Sequence, residues 1–206
     1  MTGLLFITAS NADHKAINRA LLYLRNWEYG DESINWDELY VVPHKNGHNF
    51  PALLEGMGEI KGTSPPIGPD FENAWAGCNL TEVEEFVLDT ACNADERQLG
   101  FNTSLYFCLD NEGLEEGTCI VAERGFDDDA EEHTNEFRKV RVPWAEVSAM
   151  HANLDIANAD FEDYCDEEGG DASGWWTYGN MGPDISEEKL REREQVVQEF
   201  ERNGTA

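Results

Sequence analysis

The sequence predicts an α/β fold, with α+β as the neighbouring class: a mixed sheet of about five strands with helices packed on it. Three observations predict it. A strand–helix–strand pattern occupies residues 4–42, three further β-rich stretches follow after residue 100, and an amphipathic helix separates the two groups. Forty per cent of the residues are apolar, with six Trp and ten Phe, enough for a real core despite the charge.

The elements follow in chain order. Leu4 to Ala9 is an apolar run suited to a buried strand. Ser10 or Asn11 can cap a helix whose residues Ile17, Leu21, Leu24 and Trp27 keep helical spacing until Gly30. Leu39 to Val42 forms a second strand, stopped by Pro43, so the opening reads as a βαβ unit with parallel strands and a right-handed crossover. Residues 43–78 hold Pro43, Pro51, Pro65, Pro66 and Pro69 among several Gly, yet also Phe50, Phe71 and Trp75. They read as a long insertion.

Thr81-Glu82-Val83-Glu84 has capping-box spacing, and Val83, Phe86, Val87 and Ala91 continue as an amphipathic helix. Strands are expected at Ser104–Leu109, Thr118–Ala122 and Lys139–Val142, the first two joined as a hairpin through Asn111-Glu112-Gly113. A helix follows Pro143, then an acidic segment from Asp160 to Asp171. Residues 1–180 read as a single domain. Residues 181–206 read as an appended, charged surface helix with a narrow apolar stripe.

Charge limits function more than any motif does. Forty-three Asp and Glu face fourteen Lys and Arg, a formal net charge of −29. Residues 1–50 carry six acids and four bases, whereas residues 151–206 carry fifteen acids and four bases, so the negative field grows towards the C-terminal side. Such a surface repels nucleic-acid phosphates and anionic lipid headgroups and attracts cations and basic protein patches. The start of the chain resembles a first strand rather than a signal peptide, and no apolar run reaches membrane-spanning length. Five Cys without CxxC spacing fit reduced, mostly buried thiols, so a cytoplasmic location is expected.

Candidate sites are few. Asp163, Cys165 and Glu167 take alternating positions of a calcium-type loop, but Glu168 stands where the turn glycine belongs, so a solvated acidic face is the better reading. His44 and His48 are four apart, but Pro43 and Gly47 argue for a turn, so no metal site is expected. No nucleophile elbow, phosphate loop or zinc-protease motif occurs, so neither a catalytic residue nor a cofactor is assigned. Trp175 and Trp176 are adjacent among glycines; in an extended segment their rings face opposite ways, and one of them can serve as a binding anchor.

The stretch Asn153-Leu154-Asp155-Ile156-Ala157-Asn158-Ala159-Asp160-Phe161-Glu162 resembles the C-terminal signature Asn-Leu-x-Ile-Ala-Asn-x-Asp-Phe-Glu of an uncharacterised microbial domain family of unknown function. In that family the signature follows a strand and a short helix, as Val140 to Met150 would here. The family's first strand ends Arg-Thr-Asp where this chain has Ile7-Thr8-Ala9, and the resemblance implies a fold rather than an activity. Leu154, Ile156 and Phe161 suit core contacts, while Asn153, Asn158 and Asp160 suit caps and turns, Asp160 as an N-cap above all.

Two functional expectations result. The first is an acidic protein-binding module, of inhibitor or immunity type, that captures a basic protein partner. The second is a small-ligand binder or enzyme with a pocket near residues 43–78, with His44, His48 and Trp75 at its mouth.

Overall fold

A computed structural model describes residues 1–30, 37–45, 61–93, 101–127, 129–166, 168–182 and 185–206. Its α/β architecture centres on a mixed six-stranded sheet of order β2-β1-β3-β4-β5-β6. The strands are β1 (Thr2–Ile7), β2 (Leu39–Val41), β3 (Phe101–Leu109), β4 (Thr118–Asp127), β5 (Glu132–Pro143) and β6 (Trp175–Trp176). β1 is parallel to both β2 and β3, β3 to β5 run antiparallel to one another in sequence, and β6 lies parallel to β5. The helices are α1 (His14–Tyr23), α2 (Leu80–Asn93), α3 (Asn111–Glu116), α4 (Trp144–Asp155) and α5 (Glu187–Arg202), with a 3-10 turn at Phe161–Tyr164.

Both faces of the sheet are buried, as the near-continuous apolar run of β1 requires. Leu5 and Ile7 point to one face with Phe107, Leu109, Val121 and Val140, covered by Ile17 and Leu21 of α1 and Val147 and Met150 of α4. Leu4 and Phe6 point to the other with Tyr106, Ile120 and Phe137, covered by Val83 and Val87 of α2 and by Trp75. Residues 61–78 thus contribute a core side chain, Trp75, whose ring packs edge-on against Phe6 and Phe86 at 4.9 and 5.0 Å.

Local chemistry moved several boundaries. Asp13, rather than Ser10 or Asn11, caps α1: its Oδ1 accepts from the Ala16 N–H at 2.8 Å. Trp27 lies beyond that helix, buried in the exit turn, with its indole donating to Leu22 O at 2.6 Å. The expected hairpin at Asn111-Glu112-Gly113 is instead the short helix α3, because Asp110 caps it through the Gly113 N–H at 2.7 Å and Gly117 ends it at φ 75°. Asp110 also pairs with Arg141 at 2.8 and 3.0 Å; burial pushes its carboxyl up, but these donors outweigh burial and leave it lowered.

β4 and β5 continue beyond the segments expected of them, so part of the acidic run forms the exposed tip of a long antiparallel pair. The tail also differs from a loosely attached helix. α5 lies along α1, with Arg19 meeting Glu201 at 2.7 Å, Asn18 Nδ2 donating to Thr205 O at 2.7 Å, and Val197 buried. Among the described residues no helix is long and apolar enough to cross a membrane.

Candidate functional site

In an open α/β sheet the usual ligand crevice lies beyond the C-terminal ends of the strands, here beside β1 and β3. In this chain hydrogen bonds stitch that place closed. Thr8 N and Ala9 N donate to Leu109 O at 2.9 and 3.1 Å, Ser10 N to Asn111 Oδ1 at 3.0 Å, and Gly77 N to Thr8 O at 2.9 Å. Asn73 Nδ2 adds a bond to Ile7 O at 2.7 Å, and Ala9 is itself buried. Cys108 and Cys119 lie beneath; burial pushes the Cys108 thiol up to about 12 and that of Cys119 well up too, which keeps both protonated and poor nucleophiles.

A cavity opens at the other end of the sheet, where α1 ends and α4 and α5 approach it. It measures about 140 Å³ and is lined by the exit turn of α1 (Arg25 to Tyr29), by Ala145, Ser148, Ala149, Ala152 and Asn153 of α4, and by Ile185 and Arg193. Tyr29, exposed, stands at its rim. Arg25 is held by Asp37 through two bonds of 2.6 and 3.1 Å. Arg193 is different. Only 7% exposed, it stands over the Tyr23 ring at 4.7 Å, and its nearest carboxylate, Glu194, is 3.7 Å away. Its Nε and Nη1 atoms are buried and have no hydrogen-bond partner among the described residues.

Behind the cavity wall sits a polar cluster. Glu38 accepts from Asn26 Nδ2 at 2.8 Å and from Ser148 Oγ at 3.0 Å, and His151 Nδ1 stands 3.7 Å from its Oε2, beyond hydrogen-bond reach. Burial pushes the Glu38 carboxyl up, but His151 and the two donors outweigh it and leave it lowered. His151 is buried and packs edge-on against Phe107 at 5.2 Å. Through Glu38, the Asn26 and Ser148 donors hold α4 against the chain entering β2, with His151 beside the same carboxylate.

The residues singled out in the sequence divide among these places. Asn153 lines the cavity, its Nδ2 donating to Ala149 O at 2.9 Å, and Asn158 Nδ2 donates to Asn153 Oδ1 at 2.8 Å. This pair closes the end of α4, with Ala157 at φ 52° in the turn between them. Asp160 is the N-cap of the 3-10 turn, and its backbone N–H donates to Asp163 Oδ2 at 2.9 Å. His44 is exposed after β2 and Trp75 is buried, and Ala74 N donates to Pro43 O at 3.0 Å between their two segments; His48 lies outside the described residues. Trp175 and Trp176, each half-buried on β6, do face opposite ways, Trp175 towards the core under α2 and Trp176 towards Phe161.

The same edge of the sheet gathers the acidic segments. Asp127, Asp129, Glu131 and Glu132 are exposed at the β4–β5 tip, and Glu162, Asp163, Glu168 and Asp171 are exposed on the segment that leads to β6. Arg138 is spent there on Glu123 and Glu162, and Lys139 is buried against Glu84 at 2.8 Å. Phe126 is 53% exposed at the base of the tip, its ring 5.3 Å from His133.

Arg193, Glu38, Ser148 and His151 were not legible as site residues. One signal existed for Arg193: it falls between Leu190 and Val197 in the apolar stripe of α5, where a charge has to be buried. Among the described residues no cluster of His, Cys, Asp and Glu is arranged to hold a metal ion.

A family model described as a domain of unknown function, DUF6924, matches residues 52–176, more than half of the chain. The span takes in the stretch from Asn153 to Glu162 and also most of residues 43–78, which the sequence suggested were additional; β1, α1 and β2 precede it. No curated protein and no solved structure matches the chain.

Proposed function

The chain belongs to the DUF6924 family, a domain of unknown function, and from that premise we propose on physical grounds that it is a protein-binding module which captures a basic partner at the acidic β4–β5–β6 edge. The observation that supports this reading is the pairing of exposed carboxylates with an exposed aromatic. Phe126 lies at the base of the tip that carries Asp127, Asp129, Glu131 and Glu132, while Arg138 and Lys139 of that edge are already ion-paired. Carboxylates steer the partner and raise the association rate; an aromatic anchor supplies the short-range contact that slows dissociation. An inhibitor or immunity-type protein works in this way, by covering the basic active surface of an enzyme. The free thiols of Cys78, Cys108, Cys119 and Cys165 support a cytoplasmic setting for it.

The test uses a partner captured at low salt and its binding kinetics. D127N/D129N/E131Q/E132Q is expected to slow association and flatten its salt dependence, while F126A speeds dissociation about tenfold at unchanged charge. Association indifferent to salt, or an F126A variant that dissociates like the parent, defeats the reading.

A further inference from the structure

We infer that α5 is a strap: it releases from α1 as a unit while the sheet stays folded, and the buried charge of Arg193 sets how readily it does so. α4 and α5 attach to the molecule in different ways. α4 puts Trp144, Val147, Met150 and Leu154 into the core layer beneath it, whereas none of the apolar residues of α5 belongs to either core layer. α5 buries two side chains, Arg193 and Val197. Its ties to α1 lie at the margin: the Arg19–Glu201 pair is nearly half exposed on both sides, and the Tyr23 hydroxyl donates to Glu194 at 3.4 Å, also exposed. Before its first turn, Ser186 N donates to Glu28 Oε2 at 2.7 Å, and Glu28 lines the cavity of about 140 Å³ that lies between this end of α5 and α4.

Arg193 is where the attachment is costly. Its Nε and Nη1 atoms are closed off from water and have no hydrogen-bond partner among the described residues. Its nearest carboxylate, Glu194, is the next residue of the same helix, 3.7 Å away and half exposed. That attraction is present whether α5 is docked or not, so it adds nothing to docking. What α1 offers the guanidinium is the Tyr23 ring, 4.7 Å away. Docking therefore takes a guanidinium out of water without returning the hydrogen bonds it loses, and release removes that penalty. The exposed ion pairs at the margin contribute little against it. Burial of Val197 and the Tyr23 contact are what favour the docked state. An element held by so few buried contacts, one of them an unneutralised charge, opens at a free energy below that of the whole fold. Release bares Tyr23 and opens the cavity on its α5 side.

The test needs no partner. Hydrogen–deuterium exchange of the intact protein, read by NMR, compares the amides of Leu190 to Phe200 with those of Leu5 and Phe107 at rising urea below the unfolding transition. The α5 amides are expected to exchange as a group, at least about a hundredfold faster than the two sheet amides and with little dependence on urea, because a small opening exposes little surface. R193M keeps a long side chain but removes the buried charge, and is expected to slow α5 exchange about tenfold. V197A leaves Arg193 in place and is expected to speed it about tenfold or more. The inference is overturned by α5 amides as protected as those of Leu5 and Phe107, by R193M exchange equal to or faster than the parent's, or by V197A exchange equal to the parent's. Should R193M fail to fold, the comparison within the parent and V197A still decide.

Discussion

Gly174 meets two constraints at once. Its φ of 81° is a region that side chains rarely adopt, and a Cβ built there would stand 2.5 Å from Phe137 O. The approach is close because Gly174 O accepts from Lys139 N at 2.7 Å, the bond that begins the pairing of β6 with β5. Gly174→Ala is therefore expected to cost about 2 kcal/mol or more from strain and steric overlap together. It should also loosen Trp175 and Trp176. Urea unfolding and a red shift of indole fluorescence measure the two effects; a variant with the parent's midpoint and spectrum would show that β6 is not fixed by this residue. Arg193 teaches the opposite lesson at the same scale. Its identity is plain in the sequence, but its burial depends on Tyr23 and on the packing of two distant helices, which no local pattern displays.

At the scale of elements, legibility followed periodicity. The βαβ opening could be read because Leu4 to Ile7 and Leu39 to Val42 are apolar runs and Ile17, Leu21 and Leu24 keep one helical face. β6 has no legible period because it is two residues long, and Asn111-Glu112-Gly113 reads equally as a turn or as the start of α3 because Asn, Glu and Gly serve both. The outer halves of β4 and β5 escaped because their exposed, charged residues do not alternate. Of the cavity, only Asn153 was legible, through its place in the signature stretch; its other walls come from three separate elements. α5 offers the sharpest test of its docking on α1. Val197→Ala should destabilise the protein by about 2 kcal/mol through the cavity left behind. Glu187→Ala on the same helix, whose pair with Arg191 is highly exposed, should stay within about 0.5 kcal/mol. Chemical denaturation of both variants separates the cases, and equal losses would mean that α5 makes no specific contact with the core.

For the whole molecule, charge and fold act against each other. A net −29 on one chain makes the compact state repel itself, and the ion pairs of the sheet edge relieve that repulsion only locally. Added salt screens exposed charges over about 10 Å at 0.1 M and leaves buried pairs such as Lys139–Glu84 less affected. The melting temperature at neutral pH is therefore expected to rise as sodium chloride is raised from low to physiological concentration. A scan by differential calorimetry checks the sign, and a fall would mean that surface attraction outweighs repulsion.

The matched span of residues 52–176 begins after β1 and β2, yet β1 lies inside the sheet, between β2 and β3. The stretch that the family model matches is thus shorter than the unit that folds. Cut free at residue 52, the remainder would present the whole length of β3 as an open, two-sided apolar border, the kind of seam along which chains stick to one another. The opening segment acts as a selvedge: without it the woven part frays, whatever its own sequence says.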